Sequence, residues 1–338
     1  MENALPPTRI DIACVGTVLI DLIGAEAGAS LSNVASFRRA IGGATLNVAA
    51  TAARLGRRTC VVTRVGDDAF GTFARTEIQR LGIADAWIQV DPQEITTHAF
   101  STRSARSNQF LIVRGADRNL TLDAGARSMI GRAAAVHTTT FALAVEPSRT
   151  AAIEALEIAH AAGRIVSLDP NYRARNWKSV ENLMPLLRRL LPLTTIIKPS
   201  LVDAEAIWGA GQSPGDYLER FHYYGARQVL LTLGREGVLV SDGHAVTRLP
   251  AIPVEADDTV GVGDVFTAAA ITALIDGHSL VTAARIGTLV ASYRLRTMDH
   301  AAPLPAWPVL LEQARAEEEP TAAMLVSPRP PPNSSPVG

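Results

Sequence analysis

Residues 255–276 read E-A-D-D-T-V-G-V-G-D-V-F-T-A-A-A-I-T-A-L-I-D, a glycine turn running straight into an apolar helical stretch. The first turn of a helix carries N–H groups with no intrahelical acceptor, and the helix dipole behind them favours negative charge. With Gly261 and Gly263 leaving the backbone bare, those amides form a seat for an anion such as phosphate. Asp264 falls in the same turn, where a carboxylate repels a bound phosphate. The chemistry that would want it there is removal of a proton from a hydroxyl as that hydroxyl attacks a phosphoryl group. Read from its immediate neighbours alone, the same side chain serves equally well as a helix N-cap.

Composition narrows the field. The 338 residues suffice for one large α/β unit with a substantial core. With 47% apolar residues, 19% charged and a formal net charge of −1, nothing marks the chain as binding nucleic acid or a membrane surface, and a small substrate fits best. Lys178 and Lys198 are the only lysines and neither follows a glycine, so there is no P-loop. The histidines show no metal-ligand spacing and no G-x-S-x-G elbow exists, which removes zinc and serine hydrolases. Cys14 and Cys60 lie in apolar β-like runs, as expected of buried thiols in a reducing compartment. The start M-E-N-A-L-P-P-T-R has no signal-peptide pattern and no long uninterrupted apolar run follows, so a soluble cytoplasmic protein is expected.

The elements that must position the glycine turn follow from periodicity. Residues 10–16 (I-D-I-A-C-V-G) read as a buried first strand whose C-terminal end faces a cleft, where open α/β sheets bind ligands. Asp21, within T-V-L-I-D-L-I-G, is a lone carboxylate among apolar residues: either a solvent-facing strand residue or a hydrogen-bond acceptor for a ligand. Gly42 and Gly43 precede an Ala-rich helical pattern stopped by Gly56 and let backbone approach a ligand closely; Asn47, in the first turns of that helix, has an amide able to donate and accept at once. Alternation in 96–114 around S-A-R-S-N argues a β-hairpin, which with strand material near 17–40 makes a small β lid, and Arg114 ends its second strand. Strand, helix and strand succeed one another from 134 to 169, with the helix at about 147–162, and this alternation argues a parallel sheet with right-handed crossovers. Residues 169–173 (D-P-N-Y-R) suit a loop cap or bring Arg173 from a strand end into the cleft. Then come T-T-I-I-K-P-S-L-V-D (194–203), where Lys198 could reach a phosphate and Ser200 suits an N-cap, two β runs around L-G-R-E-G (233–237), and a helix at about 279–295. The Pro- and Ser-rich tail 317–338 reads as disordered.

The pattern D-T-x-G-x-G-D-x-F beginning at Asp258 resembles the C-terminal signature of the ribokinase-like (PfkB) carbohydrate kinases, with Val262 where an alanine is common. G-G-x-x-x-N-x-A-x-x-x-A-R-L-G from Gly42, and R-V-G-D-D-A-F-G at 64–71, resemble the N-terminal signature of the same family; both signatures occur in the right order within about residues 10–312. The resemblance implies a central, mostly parallel sheet with helices on both faces and a small β lid, in a single domain spanning 1–316. It implies transfer of the ATP γ-phosphoryl to a sugar or sugar-acid hydroxyl, with Gly261 and Gly263 as anion hole and Asp264 as base. It implies sugar contacts for Asp21, Gly42, Gly43, Asn47, Arg114 and Arg173, and nucleotide contacts for Thr232, Gly234, Gly237 and Val262, beside the phosphate contact read for Lys198 from its place at a strand end. Mg²⁺ is implied as cofactor, and a monovalent cation such as K⁺ is compatible. The family usually shows N-x-x-E where this chain has Ser200 and Asp203, so Asp203 keeps the charge for a metal role through water but the amide is lost.

The D-x-N-x-R element with Trp177 is similar to the fructokinase and 2-keto-3-deoxygluconate kinase branch, and resemblance to the 2-keto-3-deoxygluconate kinases, whose arginines at the places of Arg114 and Arg173 meet an acidic sugar, implies that both face the substrate. Two guanidiniums in one pocket repel unless an anion such as a carboxylate offsets them, which puts an acidic keto-sugar first and fructose second. A nucleoside kinase would want aromatic stacking faces, and Phe100 and Phe110 alone offer them in 96–114. A non-catalytic sugar-binding regulator has no need of Asp264. Apolar lid strands with an exposed face suggest a homodimer paired through its lids.

Overall fold

The computed structural model describes residues 9–26, 28–102, 109–177, 179–256, 259–296 and 304–316. The expectations placed on the tail 317–338, on Asp258 and on the hairpin turn at 104–108 lie outside them. The first half of the chain runs β1 (Ile12–Val15), β2 (Leu19–Gly24), β3 (Phe37–Gly42), α1 (Ala44–Arg54), β4 (Thr59–Gly66), α2 (Ala69–Arg80), β5 (Ile88–Asp91), β6 (His98–Ser101), β7 (Phe110–Val113), α3 (Ala124–Arg132), β8 (Ala135–Thr139), α4 (Thr140–Leu143) and α5 (Ser148–Ala161). The second half continues β9 (Ile165–Asp169), α6 (Met184–Leu190), β10 (Ile196–Ile197), α7 (Leu201–Trp208), α8 (Pro214–Tyr223), β11 (Val229–Thr232), β12 (Val238–Ser241), β13 (Val246–Leu249), α9 (Val262–Ile275), α10 (Leu280–Arg296) and α11 (Trp307–Ala316).

A nine-stranded sheet in the order β13-β12-β11-β10-β9-β8-β1-β4-β5 forms the body. Its strands are parallel from β11 through to β5, and β12 and β13 add an antiparallel edge. β1 is buried throughout, as a central parallel strand covered on both faces must be. On one face α5, α7 and α8 close over Leu156, Ile207, Tyr217 and Phe221; on the other, α1 and α10 pack against α9. α9 is buried along almost its whole length, its Ala-rich surface shared between two apolar clusters, which fixes where its N-terminus stands. Each large aliphatic side chain fully buried in this way contributes about 1.5–3 kcal/mol.

A separate four-stranded sheet, β3-β2-β6-β7, is the lid. Register puts Asp21 opposite Ala40 and Ala99, on the face that also carries Ile23 and Ile112. The other face carries Leu22, Arg39, His98 and Phe100; near the body it rests on α2, with the Arg39 guanidinium 4.1 Å from the Phe73 ring centroid and the His98 and Phe70 rings 5.9 Å apart.

Candidate active site

The C-terminal ends of β1, β9 and β10 converge with the N-terminus of α9. Gly261 caps α9 in the left-handed region, φ 75°, a conformation that favours glycine. The amides of Gly263 and Asp264 meet no acceptor among the described residues, and a Cβ on Gly263 would stand 2.9 Å from Lys198 Nζ. Bare backbone donors and an ammonium therefore stand side by side, a donor set suited to a phosphate group.

Lys198, just past β10, is buried and pairs with Asp169 at the end of β9, Nζ to Oδ2 2.7 Å. Burial would weaken its charge, but the carboxylates of Asp169, Asp203 and Asp264 outweigh that and hold its pKa above the ordinary value. Asp264 is 8% exposed, and its Oδ2 accepts from Asn47 Nδ2 at 2.7 Å. Burial pushes its pKa up to about 7; Asn47 opposes the rise, Asp169 adds to it, and Lys198 and Arg173 oppose it. Beneath lie two neutral groups: Cys14, whose thiol pKa burial raises, and His137, which burial and then Lys198 hold down to about 3 and which bonds to Ser167 Oγ at 3.0 Å. A carboxylate with a pKa near neutrality, beside unpartnered helix amides, has the chemistry to take a proton from an attacking hydroxyl.

Asn47 reaches Asp264 because α1 starts immediately after Gly43, whose φ is 106° and where a Cβ would lie 2.5 Å from the Thr17 carbonyl oxygen. Gly42 lies against Asp21, whose carboxyl burial pushes up to about 6 and for which no hydrogen bond is made among the described residues. Arg173 is exposed, donates to the Tyr172 carbonyl at 3.3 Å, and is close enough to act on Asp264 electrostatically. Thr232 ends β11 and is tied by its N–H to the Pro199 carbonyl at 3.0 Å, next to Lys198. Gly234 opens a 3₁₀ turn and Gly237 closes it, and a Cβ on Gly237 would come within 2.0 Å of the Leu249 carbonyl oxygen.

Two residues, Arg114 and Asp203, stand differently from their expected roles. Arg114 is no free guanidinium: Nε donates to Asp117 Oδ2 at 3.0 Å, and the cation lies 4.3 Å from the Phe141 ring centroid. Asp203 has both oxygens taken, Oδ1 by the Tyr172 N–H at 2.7 Å and Oδ2 by the Ser200 N–H and hydroxyl, in a capping box that opens α7. Val262 contributes no polar atom beyond its backbone, and its N–H turns back to the Thr259 carbonyl at 3.3 Å. Sequence reasoning also passed over Asp169 as the partner of Lys198 and over Asp117 altogether. Asp117 sits in R-G-A-D-R-N, which looks like any polar turn.

The pfkB family carbohydrate kinase model matches residues 9–307. The chain belongs to that family. This carbohydrate kinase is 33% identical over 273 residues to fructokinase-1 of Zea mays, covering 79% of this chain and 84% of the relative. It is 29% identical over 298 residues to the ATP-dependent 6-phosphofructokinase of Thermoanaerobacterium thermosaccharolyticum, covering 88% and 91%. The solved fructokinase of Halothermothrix orenii superposes with a TM-score of 0.74 at 31% identity, covering 86% of this kinase and 99% of that chain. The ribokinase-like fold, the carbohydrate kinase activity and the use of ATP go with that membership. Among the described residues no helix is long and apolar enough to cross a membrane.

Proposed function

We propose that this kinase transfers the γ-phosphoryl group of ATP to a hydroxyl of a neutral hexose such as fructose, with Asp264 as general base and the turn through Gly261 and Gly263 as anion hole. What carries the reading is a buried carboxylate with a pKa of about 7 set beside unpartnered helix amides and a buried ammonium. The sugar hydroxyl oxygen attacks the γ-phosphorus, the bond to the β-phosphate oxygen breaks, and the hydroxyl proton passes to the Asp264 carboxylate. The Gly263 and Asp264 amides and Lys198 Nζ offset charge on the transferring group, and they need no rearrangement to do so. Asp21, Asn47, Arg173 and the Gly42 and Gly43 backbone hold the sugar. Thr232, Gly234, Gly237 and Val262 line the nucleotide side. Mg²⁺ accompanying ATP would be held by phosphate and water oxygens, because no group of three or more His, Cys, Asp or Glu side chains suited to a metal exists among the described residues.

The pairing of Arg114 favours a neutral substrate. Its charge is already matched by Asp117, so the repulsion that would call for an acidic sugar is absent. Two of the relatives are named fructokinases, which supports the same choice. Steady-state ADP release should give the highest kcat/KM for fructose when fructose, fructose 6-phosphate, 2-keto-3-deoxygluconate and adenosine are compared. A preference for any of the others by more than about tenfold, or ~1.4 kcal/mol, overturns this substrate assignment.

The lid face opposite Asp21 supports a homodimer. It carries Leu22, Phe37, Phe100 and Leu111, with Phe37 38% and Leu111 52% exposed, an apolar strip that a second lid related by a two-fold axis would cover. The free, buried Cys14 and Cys60 suit a reducing, cytoplasmic setting.

A further inference from the structure

The chain passes between body and lid four times: into β2 after Thr17, out of β3 through Gly42 and Gly43, into β6 after Thr97, and out of β7 through Arg114 and Gly115. Three of these crossings end on one carboxylate. Asp117, 2% exposed on the 3₁₀ turn Ala116–Asn119, accepts from Thr17 Oγ1 at 2.7 Å and from Arg114 Nε at 3.0 Å on one oxygen, and from Thr97 Oγ1 on the other. Thr97 Oγ1 in turn accepts from the Gly115 N–H at 2.9 Å. The fourth crossing joins through the Thr17 carbonyl, which accepts from Thr45 Oγ1 at 2.6 Å and leaves no room for a Cβ on Gly43. Arg114 extends the node into the body, over the Phe141 ring and to Ser148 Oγ at 3.4 Å.

Burying a carboxylate is unfavourable, and apolar packing would hold two segments together at least as well. What directional bonds from three separate crossings add is one defined geometry: each donor is satisfied only when its strand leaves the body at the right angle. We propose that Asp117 is a positioning residue that sets the stance of the whole lid, and with it Asp21, over the sugar. It touches no reacting atom. The consequence for catalysis rests on the hexose kinase reading above.

Two measurements on the full chain separate the possibilities. Hydrogen–deuterium exchange compares wild type with Asp117→Asn, which keeps the shape but turns a pure acceptor into a group with donors facing donors. Exchange in β2 and β6 should rise by at least about tenfold while β8 and β9 in the body stay unchanged, since local opening is governed by local bonding. Steady-state kinetics with whichever sugar the wild type turns over should show KM for that sugar raised about tenfold or more, with kcat within ~3-fold and KM for ATP unchanged. Unchanged exchange in the lid overturns the proposal whatever the substrate proves to be; wild type with no turnover of fructose overturns the substrate reading alone. A parallel rise in both KM values would mean a general loss of structure and also overturns it. If Asp117→Asn does not fold, Thr97→Val removes one donor from the same node and should show the same pattern at smaller size, and uniform exchange throughout that variant refutes the assignment.

Discussion

Asn47→Ala tests how the site tunes its base. An ionised carboxylate only accepts hydrogen bonds, so the 2.7 Å contact between Asn47 Nδ2 and Asp264 Oδ2 favours the charged form of Asp264 and opposes the burial that raises its pKa to about 7. A hydrogen bond to a charged group is worth about 1.5–3 kcal/mol, and one pKa unit corresponds to about 1.36 kcal/mol. Removing the amide should therefore move the acid limb of kcat up by about one to two pH units, from near 7 to about 8–9. At pH 7 the base is about half ionised in the wild type and about 1–10% ionised in the variant, which predicts a fall in kcat of roughly 5- to 50-fold, largely recovered by about pH 9.5. The assay is ADP release at saturating ATP and sugar across pH 5.5–10, with kcat fitted at each pH. With Asn47 also holding the sugar, as proposed, KM should rise, and that rise should not depend on pH in the same way. An acid limb left near its wild-type position, with kcat reduced equally at every pH, would refute the idea that Asn47 tunes Asp264.

Lys198→Met leaves Asp169 buried without its counter-ion, so stability should fall by about 3–5 kcal/mol in urea denaturation and kcat by at least ~100-fold; a variant with wild-type stability would mean that the pair carries no weight. Asp264 should make stability depend on pH. Its folded pKa of about 7 lies above the ordinary 3.8, so its contribution is complete below 3.8 and is lost as pH rises to about 7. Roughly three units amount to about 4 kcal/mol, so Asp264→Asn should melt higher than wild type at pH 8, with the gap closing at pH 4, and a lower Tm at pH 8 contradicts this. Sedimentation at micromolar concentration should show a dimer that Leu111→Glu converts to monomer, whereas a monomeric wild type removes the lid-pairing model.

The local chemistry was legible in the sequence, and the partners of its charges were not. The turn through Gly261, Gly263 and Asp264 announces itself because glycine spacing and helix periodicity are properties of one short segment. Ser200 likewise reads as an N-cap, and the structure forms it, with Asp203, expected in a metal role, as the other half of a capping box. The Asn47–Asp264 bond spans 217 positions, and nothing in either neighbourhood specifies the other. Lys198 read as a weak phosphate contact because the approach of β9 to β10, which supplies Asp169, exists only once the sheet has formed. Arg114 read as a free guanidinium for the opposite reason: its partner is only three residues on, but it takes the 3₁₀ turn to bring Asp117 back beneath it. The helix expected at about 147–162 is α5, Ser148–Ala161, and the one expected at about 279–295 is α10, Leu280–Arg296, because apolar periodicity with glycine stops survives folding. The edge strand β13, Val246–Leu249, left no such signature, being short and half exposed.

The most direct test of Asp264 as the base in ATP-dependent sugar phosphorylation is kcat for Asp264→Asn with ATP, Mg²⁺ and fructose at pH 8, measured alongside ATP binding by calorimetry. Loss of a general base lowers kcat by at least ~100-fold, and ATP affinity should remain within about threefold because the amides and Lys198 proposed to hold the phosphate are untouched. Near-normal kcat in a folded variant would show that the proton goes elsewhere, and would leave the buried carboxylate beside the glycine turn without the role assigned to it.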